Sequence, residues 1–301
     1  MANSKIKFLN GNGIPSIGYG TWLMQDPEVL ETALEAALET GYRHIDTAFF
    51  YGNETVIGNV LKRWFDKGKL TREELFVTTK LPMHGMNPLK VLHFLQLSLN
   101  KLQLSYADLY LIHMPYGFNY IDDDATLPFK DEEQLQRIVD AAKIPPANLQ
   151  VEMNVYFQQR ELRALCKKLG VTLTAYAPLG SPGRAALHSA FQAPFADVGL
   201  LVDPVVKGIA LKQNKTPAQI LVRYLLDQNV VVLCKSDNPE RVKENFNVFD
   251  FELSPEDATR LDQLDKGAQG RSFVWTFLPG ITEHPEFPFN AEISGESEKT
   301  S

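Results

Sequence analysis

Gly41–Glu54 reads GYRHIDTAFFYGNE, and this stretch decides the fold. A short apolar run, His44 to Ala48, carries Asp46 near its end, and Tyr51 follows in a loop closed by Gly52 and Asn53. The next two strand-like runs end the same way: Phe76 to Thr79 stops at Lys80, and Leu109 to Ile112 stops at His113. An acid, a phenol, an ammonium and an imidazole therefore emerge at or just past the ends of three successive strands. In a barrel of parallel strands those ends share one face, and that face carries the chemistry.

Working outward, strand-like and helix-like segments alternate almost throughout. Ile6 to Leu9 and Ile14 to Gly18, joined around Asn10-Gly11-Asn12-Gly13, predict an opening β-hairpin. Apolar periodicity predicts helices over 28–40 (stopping at Gly41), 53–65, 88–102, 131–142, 159–169 and 216–227. The buried stripe of the third is expected to be Val91, Leu92, Leu95, Leu99 and Leu102. Further strands are expected over 149–154, 172–177 and 230–234. No linker-like change of composition interrupts the chain, so residues 1–301 read as one domain.

Repeated βα units leave two architectures, a TIM-type barrel or a doubly wound sheet. The doubly wound dinucleotide fingerprint is missing, because Gly11 and Gly13 precede a strand-like run where that fingerprint needs a helix. A hairpin turn accounts for those glycines, and the barrel is the expected fold.

Composition narrows the function. With 44% hydrophobic residues in 301, the chain can bury a large core. A net charge of -7 without blocks of Lys or Arg argues against nucleic acid as the main partner. The N-terminal residues MANSKIKFLNGNG hold no long apolar stretch, so no secretory signal is expected, and no run approaches the roughly 20 apolar residues of a membrane span. Cys166 and Cys234 form no ligand-spaced pair and read as reduced, buried thiols of a cytoplasmic protein. The six histidines show no metal-ligand spacing, so a metal-dependent barrel hydrolase is not expected.

The four strand-end residues divide one reaction between them. A phenol ordinarily titrates near 10 and is a weak acid at neutral pH, so a nearby ammonium that favours the phenolate would strengthen it. A carboxylate beside the ammonium keeps Lys80 charged and in place. His113 can donate a hydrogen bond to a carbonyl oxygen, and Tyr51 can protonate that oxygen while a hydride reaches the carbon from a cofactor. Further along, Lys235, Ser236 and Arg241 surround the start of a helix opened by Pro239, an arrangement suited to an anion.

At this point the residues resemble the aldo-keto reductase superfamily. The resemblance rests on GYRHIDTAFFYGNE, the TTK ending at Lys80 and LIHMP around His113, and continues through QVEMNVYFQQ, TAYAPLGSPG and CKSDNPERVKENF. It implies a (β/α)8 barrel, NADPH as hydride donor, and Asp46, Tyr51, Lys80 and His113 as the catalytic tetrad. It further implies that Lys235, Ser236 and Arg241 hold the adenosine 2′-phosphate and that Glu244 and Asn245 contact adenine. Gln150 would bond the nicotinamide carboxamide, Tyr176 would stack on its ring, and Leu179 and Ser181 match the loop over the pyrophosphate. Trp22, Phe49, His113, Met114 and the segment around 273–277 would line the substrate pocket. Met114 stands where the family usually has Trp, which replaces a flat wall with a flexible thioether.

One departure is larger. His113 and Gln150 are only 37 positions apart, and the chain passes from Phe129-Lys130 directly into DEEQLQRIVDAA. The family's fourth helix and fifth strand, with a Ser-Asn pair that helps hold the carboxamide, are therefore expected to be missing. That leaves seven core strands, either closed upon themselves or gapped with unpaired edges. The expectation is an NADPH-dependent reductase of aldehydes or ketones, a monomer, with hydride aim impaired by the deletion. Resemblance near Gln150 and the C-terminal segment leans toward insect members, including 3-dehydroecdysone reductases. The alternative is a catalytically weak or inactive NADP-binding or regulatory variant on the same scaffold.

Overall fold

The structure, a computed structural model, describes residues 4–114, 131–190 and 197–273. In chain order the strands are β1 (Lys5–Lys7), β2 (Gly13–Pro15), β3 (Ile17–Gly20), β4 (His44–Asp46), β5 (Phe76–Leu81), β6 (Leu109–Ile112), β7 (Asn148–Glu152), β8 (Thr172–Tyr176) and β9 (Val231–Cys234). The helices are α1 (Pro27–Thr40), α2 (Glu54–Asp66), α3 (Val91–Leu102), α4 (Asp131–Ala141), α5 (Arg160–Leu169), α6 (Ala185–Ala190), α7 (Pro204–Gln213), α8 (Pro217–Asp227), α9 (Pro239–Phe246) and α10 (Pro255–Asp262).

Two compact units emerge. The first comprises 1–7, 12–126 and 231–250, and the second 8–11, 127–230 and 251–301. In the first, five parallel strands lie in the order β6-β5-β4-β3-β9. In the second, β7 and β8 pair in parallel from Asn148↔Thr172 to Glu152↔Tyr176. The described residues thus contain the seven parallel core strands expected of a barrel short of one βα unit.

Local chemistry explains the elements. Asp26 caps α1 by accepting from the N–H groups of Glu28 and Val29, Pro27 fills the first turn, and Gly41 ends the helix at φ 112°. On α2, Ile57, Val60, Leu61 and Trp64 are buried as the periodicity requires. Helices α1 and α2 pack together, α2 packs on α3, and α1 on α9.

Two expectations need correction. The segment 14–18 is not one hairpin strand. Gly13–Pro15 pairs antiparallel with β1, whereas Ile17–Gly20 turns into the parallel sheet between β4 and β9. The split falls at Pro15, which has no N–H to continue a ladder. On α3 the buried positions are Phe94, Ser98, Leu99 and Leu102, while Leu92 is 76% exposed. Its apolar periodicity suits a helix covered on two sides, and Leu92 lies uncovered.

The ladders also end differently. Strand β5 is buried along its whole length. Among the described residues strand β6 bonds only to β5, none of its residues is fully buried, and Ile112 is 58% exposed. Strand β7 likewise bonds only to β8 among the described residues. Residues 115–130, Phe129-Lys130 among them, lie outside the described residues.

Candidate active site

Asp46 is the last residue of β4 and Lys80 sits near the end of β5, paired in register with Leu111 of β6. Parallel pairing therefore brings them together across 34 residues of sequence. Lys80 is 3% exposed and donates from Nζ to Asp46 Oδ1 at 2.5 Å, to the Thr47 carbonyl at 2.9 Å and to Tyr51 Oη at 3.4 Å. His113 follows β6, its backbone N–H bonding the Leu81 carbonyl at 3.2 Å. Its ring stands edge-on to Tyr51 with centroids 5.4 Å apart. All four predicted residues converge.

Residues that the sequence reading overlooked hold this arrangement. Asn53 precedes α2 but does not cap it; its amide donates to the carbonyls of Thr21 and Met24 and accepts from Thr47 Oγ1. That ties the Tyr51 turn to the ends of β3 and β4. Glu54, buried at the start of α2, accepts from Thr79 Oγ1 at 2.7 Å, and His44 bonds Thr78 at 3.0 Å, so β5 is held at the two residues before Lys80. A buried polar residue beside a strand end was the available signal, and Asn53-Glu54 lay within the opening stretch. Of the two aromatics before Tyr51, Phe50 approaches the His113 ring at 6.3 Å, whereas Phe49 packs on Phe94 and His84 beneath Lys101.

Electrostatics follow from burial. Loss of solvent works against the Lys80 ammonium, yet Asp46 and Tyr51 more than offset it and hold Lys80 above its ordinary value. For Tyr51 burial is the largest influence and raises the phenol, Lys80 pulls it back and Asp46 pushes it up again. The net direction is upward, so the expected acid-strengthening by Lys80 is a partial compensation. Burial first and Lys80 second lower His113 to about 3, which keeps the imidazole neutral. Its Nδ1 is buried with no hydrogen-bond partner among the described residues. A protonated phenol beside a neutral imidazole can protonate and orient one carbonyl oxygen.

The expected phosphate residues occupy the loop after β9. Ser236 is buried, Lys235 half-buried and Arg241 exposed on α9, with Glu244 exposed and Asn245 buried. Tyr19 of β3 donates to the Ser236 carbonyl at 2.9 Å, fixing the loop to the sheet. One expectation shifts here. The Asn238 side chain already accepts from the N–H groups of Glu240 and Arg241, and Ser236 Oγ accepts from Asn238 N–H. The helix start is satisfied by its own cap, so an anion would rely chiefly on the Lys235 and Arg241 side chains. Asp237 is exposed. This donor set of two cations and a hydroxyl fits a phosphate monoester.

In the second unit Gln150 lies on β7 opposite Thr174, and Tyr176 ends β8, both half-buried. Leu179 and Ser181 follow in a turn where Ala177 and Ser181 adopt left-handed backbone, φ 53° and 52°. Trp22 and Met114 are half-buried in the first unit. Phe273 is buried in the second, and 274–277 lie outside the described residues. Cys166 and Cys234 are buried and free, and burial raises their thiols to about 11 and about 12.

Residues 12–126 and 127–266 match the model of the Aldo/keto reductase family. The chain belongs to this family. The match falls into two pieces that meet at 126/127, within the interval where a βα unit was expected to be missing. Aldo-keto reductase family 1 member A1 of Mus musculus is 38% identical, covering 96% of this chain and 99% of the relative. That alignment runs over 336 positions, more than the 301 residues here, so the relative carries sequence this aldo-keto reductase lacks. Among solved structures, the aldose reductase from Schistosoma japonicum superposes with a TM-score of 0.82 at 34% identity, covering 96% of this chain and 99% of that one. A Bombyx mori aldo-keto reductase solved in complex with NADP gives 0.80 at 31% identity, with 95% and 99% covered. The fold is the family's TIM-type α/β barrel with one βα unit removed. The cofactor is NADPH or NADP+, and the chain is an NADP-dependent oxidoreductase of carbonyl compounds.

Proposed function

We propose that Tyr51 is the proton donor of an NADPH-dependent reduction of aldehydes or ketones, with Lys80, Asp46 and His113 as its supporting groups. The observation that carries this is the buried chain from Asp46 through Lys80 Nζ to Tyr51 Oη. NADPH, when bound, supplies the hydride. The protein's residues do the rest. His113, neutral and beside Tyr51, donates a hydrogen bond that orients the carbonyl oxygen. Tyr51 Oη passes its proton to that oxygen, and the phenolate left behind is stabilised by Lys80, whose charge Asp46 maintains.

Lys235, Ser236 and Arg241 would bind the 2′-phosphate and Glu244 and Asn245 the adenine. Gln150 and Tyr176 would hold the nicotinamide, and Leu179 and Ser181 the pyrophosphate. Substrate would meet Trp22, Met114 and, beyond the residues expected from sequence, Phe50. We read 1–301 as one barrel domain, acting as a monomer in the cytoplasm on small carbonyl compounds; no helix of the described residues is long and apolar enough to cross a membrane. The intact tetrad does not favour a purely regulatory role.

The deletion lowers efficiency on this reading, because His113 hangs from β6, an edge strand with Tyr110 Oη buried and unpartnered among the described residues. The test is to titrate NADPH by fluorescence and follow its oxidation with a reactive aromatic aldehyde. Tyr51→Phe should retain binding and lose turnover by about 10²- to 10⁴-fold, the usual worth of a general acid. Turnover indifferent to that substitution would sink the assignment.

A further inference from the structure

Glu152 has no part in the chemistry above, yet it is 1% exposed and heavily bonded. It ends β7, two residues beyond Gln150. Its carboxylate accepts from the backbone N–H of Ser272 (3.0 and 3.1 Å to the two oxygens), from the N–H of Phe273 at 2.9 Å and from Ser272 Oγ. Arg184, 3% exposed in the loop after β8, completes the group from the other side. It donates to the Ser272 carbonyl at 2.6 Å and lays its guanidinium 4.0 Å from the centre of the Phe273 ring. Gly270 lets this segment press against the chain after β7, since a Cβ there would fall 1.9 Å from the Tyr156 carbonyl oxygen. Phe273 then meets Tyr176 edge to face, centroids 5.2 Å apart at 85°.

Three segments far apart in sequence are thereby locked at one point: the end of the Gln150 strand, the loop following Leu179 and Ser181, and 270–273. A carboxylate and a guanidinium are costly to bury, and such groups are retained where they are paired and hydrogen-bonded. Apolar packing could hold a chain end without them. What the polar pair adds is a fixed direction for the Phe273 ring, and that ring abuts Tyr176.

We propose that Glu152, Arg184 and Ser272 form a clasp that sets the position of Tyr176 through Phe273, and so sets how tightly the dinucleotide is held. These are positioning residues; the inference rests on the reading of Tyr176 as the nicotinamide platform. Loss of the clasp changes cofactor affinity and leaves the proton donor untouched.

Two readouts test it on the full chain. Trypsin cleavage at Arg271–Ser272 reports the clasp itself, and NADPH titration reports its coupling to the cofactor. Glu152→Gln should speed that cleavage and raise the NADPH Kd about tenfold, the order expected for losing hydrogen bonds to a charged group. The kcat at saturating NADPH should stay within about threefold. Ser272→Ala, which removes only the hydroxyl, should shift both readouts in the same direction by less, and it decides the matter if Glu152→Gln does not fold. Faster cleavage with unchanged Kd would reduce the clasp to a structural fastening and overturn the proposal. Unchanged cleavage would overturn it at the first step. A wild-type chain that binds no NADPH would instead remove the Tyr176 reading on which it stands.

Discussion

Strands β5 and β6 are neighbours in one ladder and position two of the four converging side chains, Lys80 and His113, but they are built to different standards. Strand β5 has a partner on each side, is buried throughout, and delivers Lys80 into a cage of Asp46, Thr47 and Tyr51. Among the described residues, strand β6 has one partner strand, exposes Ile112 and leads into His113, whose Nδ1 is unpartnered. On the proposed reading, the missing βα unit thus spares Tyr51 as the acid and thins the support of His113, the proposed orienting group. Position in the ladder, more than residue type, decides how firmly each is held.

The largest break in this comparison should come from the well-built side. Lys80→Met leaves Asp46 buried without its ammonium, which should cost about 3–5 kcal/mol of stability, as for other broken buried pairs. Denaturant unfolding would show it. Adding Asp46→Asn should recover much of that stability without restoring turnover. If Lys80→Met unfolds no more easily than wild type, the cage is not what the distances imply.

Acid should expose the next difference. Burial lowers His44 to about 4, with the Asp46 carboxylate opposing and Lys80 assisting. A histidine whose folded value is depressed stabilises above its unfolded value near 6.5, and that contribution is lost as pH falls through the interval down to about 4. The loss is of the order of 3 kcal/mol for His44. His113, lowered to about 3, should act in the same direction. Unfolding measured from pH 7 to 4 should therefore steepen, and His44→Gln should flatten part of the slope. An unaltered slope in the variant would show that His44 is charged in the folded protein.

The smallest effect sharpens the contrast between strands. Ile45 of β4 is fully buried and Ile112 of β6 is mostly exposed. Ile45→Val should cost about 1 kcal/mol, whereas Ile112→Val should stay within about 0.5 kcal/mol. Equal costs at the two sites would mean that β6 is packed as tightly as β4.

Much of this was legible beforehand because it depends on local order. Asp46, Lys80 and His113 each follow an apolar run, and once strands are parallel their ends must share a face. Gly41, Pro27 and Asp26 mark α1 by rules that act within one turn. Other features were hidden for a physical reason. Asn53 resembles a helix cap, and only contacts to Thr21 and Met24, 32 and 29 residues away, divert its side chain. Leu92 fits a buried stripe perfectly well; its exposure depends on whether another helix lies alongside.

The amino-acid sequence by itself determined the order of βα units, the four strand-end groups Asp46, Tyr51, Lys80 and His113, and the absence of one unit between His113 and Gln150. These are written in residue type and spacing. Only the tertiary structure decided that Asn238 satisfies the start of α9, that Tyr51 is on balance raised by burial, and that Glu152, Arg184 and Ser272 close on one another across some 120 residues. Burial and long-range hydrogen bonding belong to the surroundings of a side chain, and those surroundings exist only once the chain has folded.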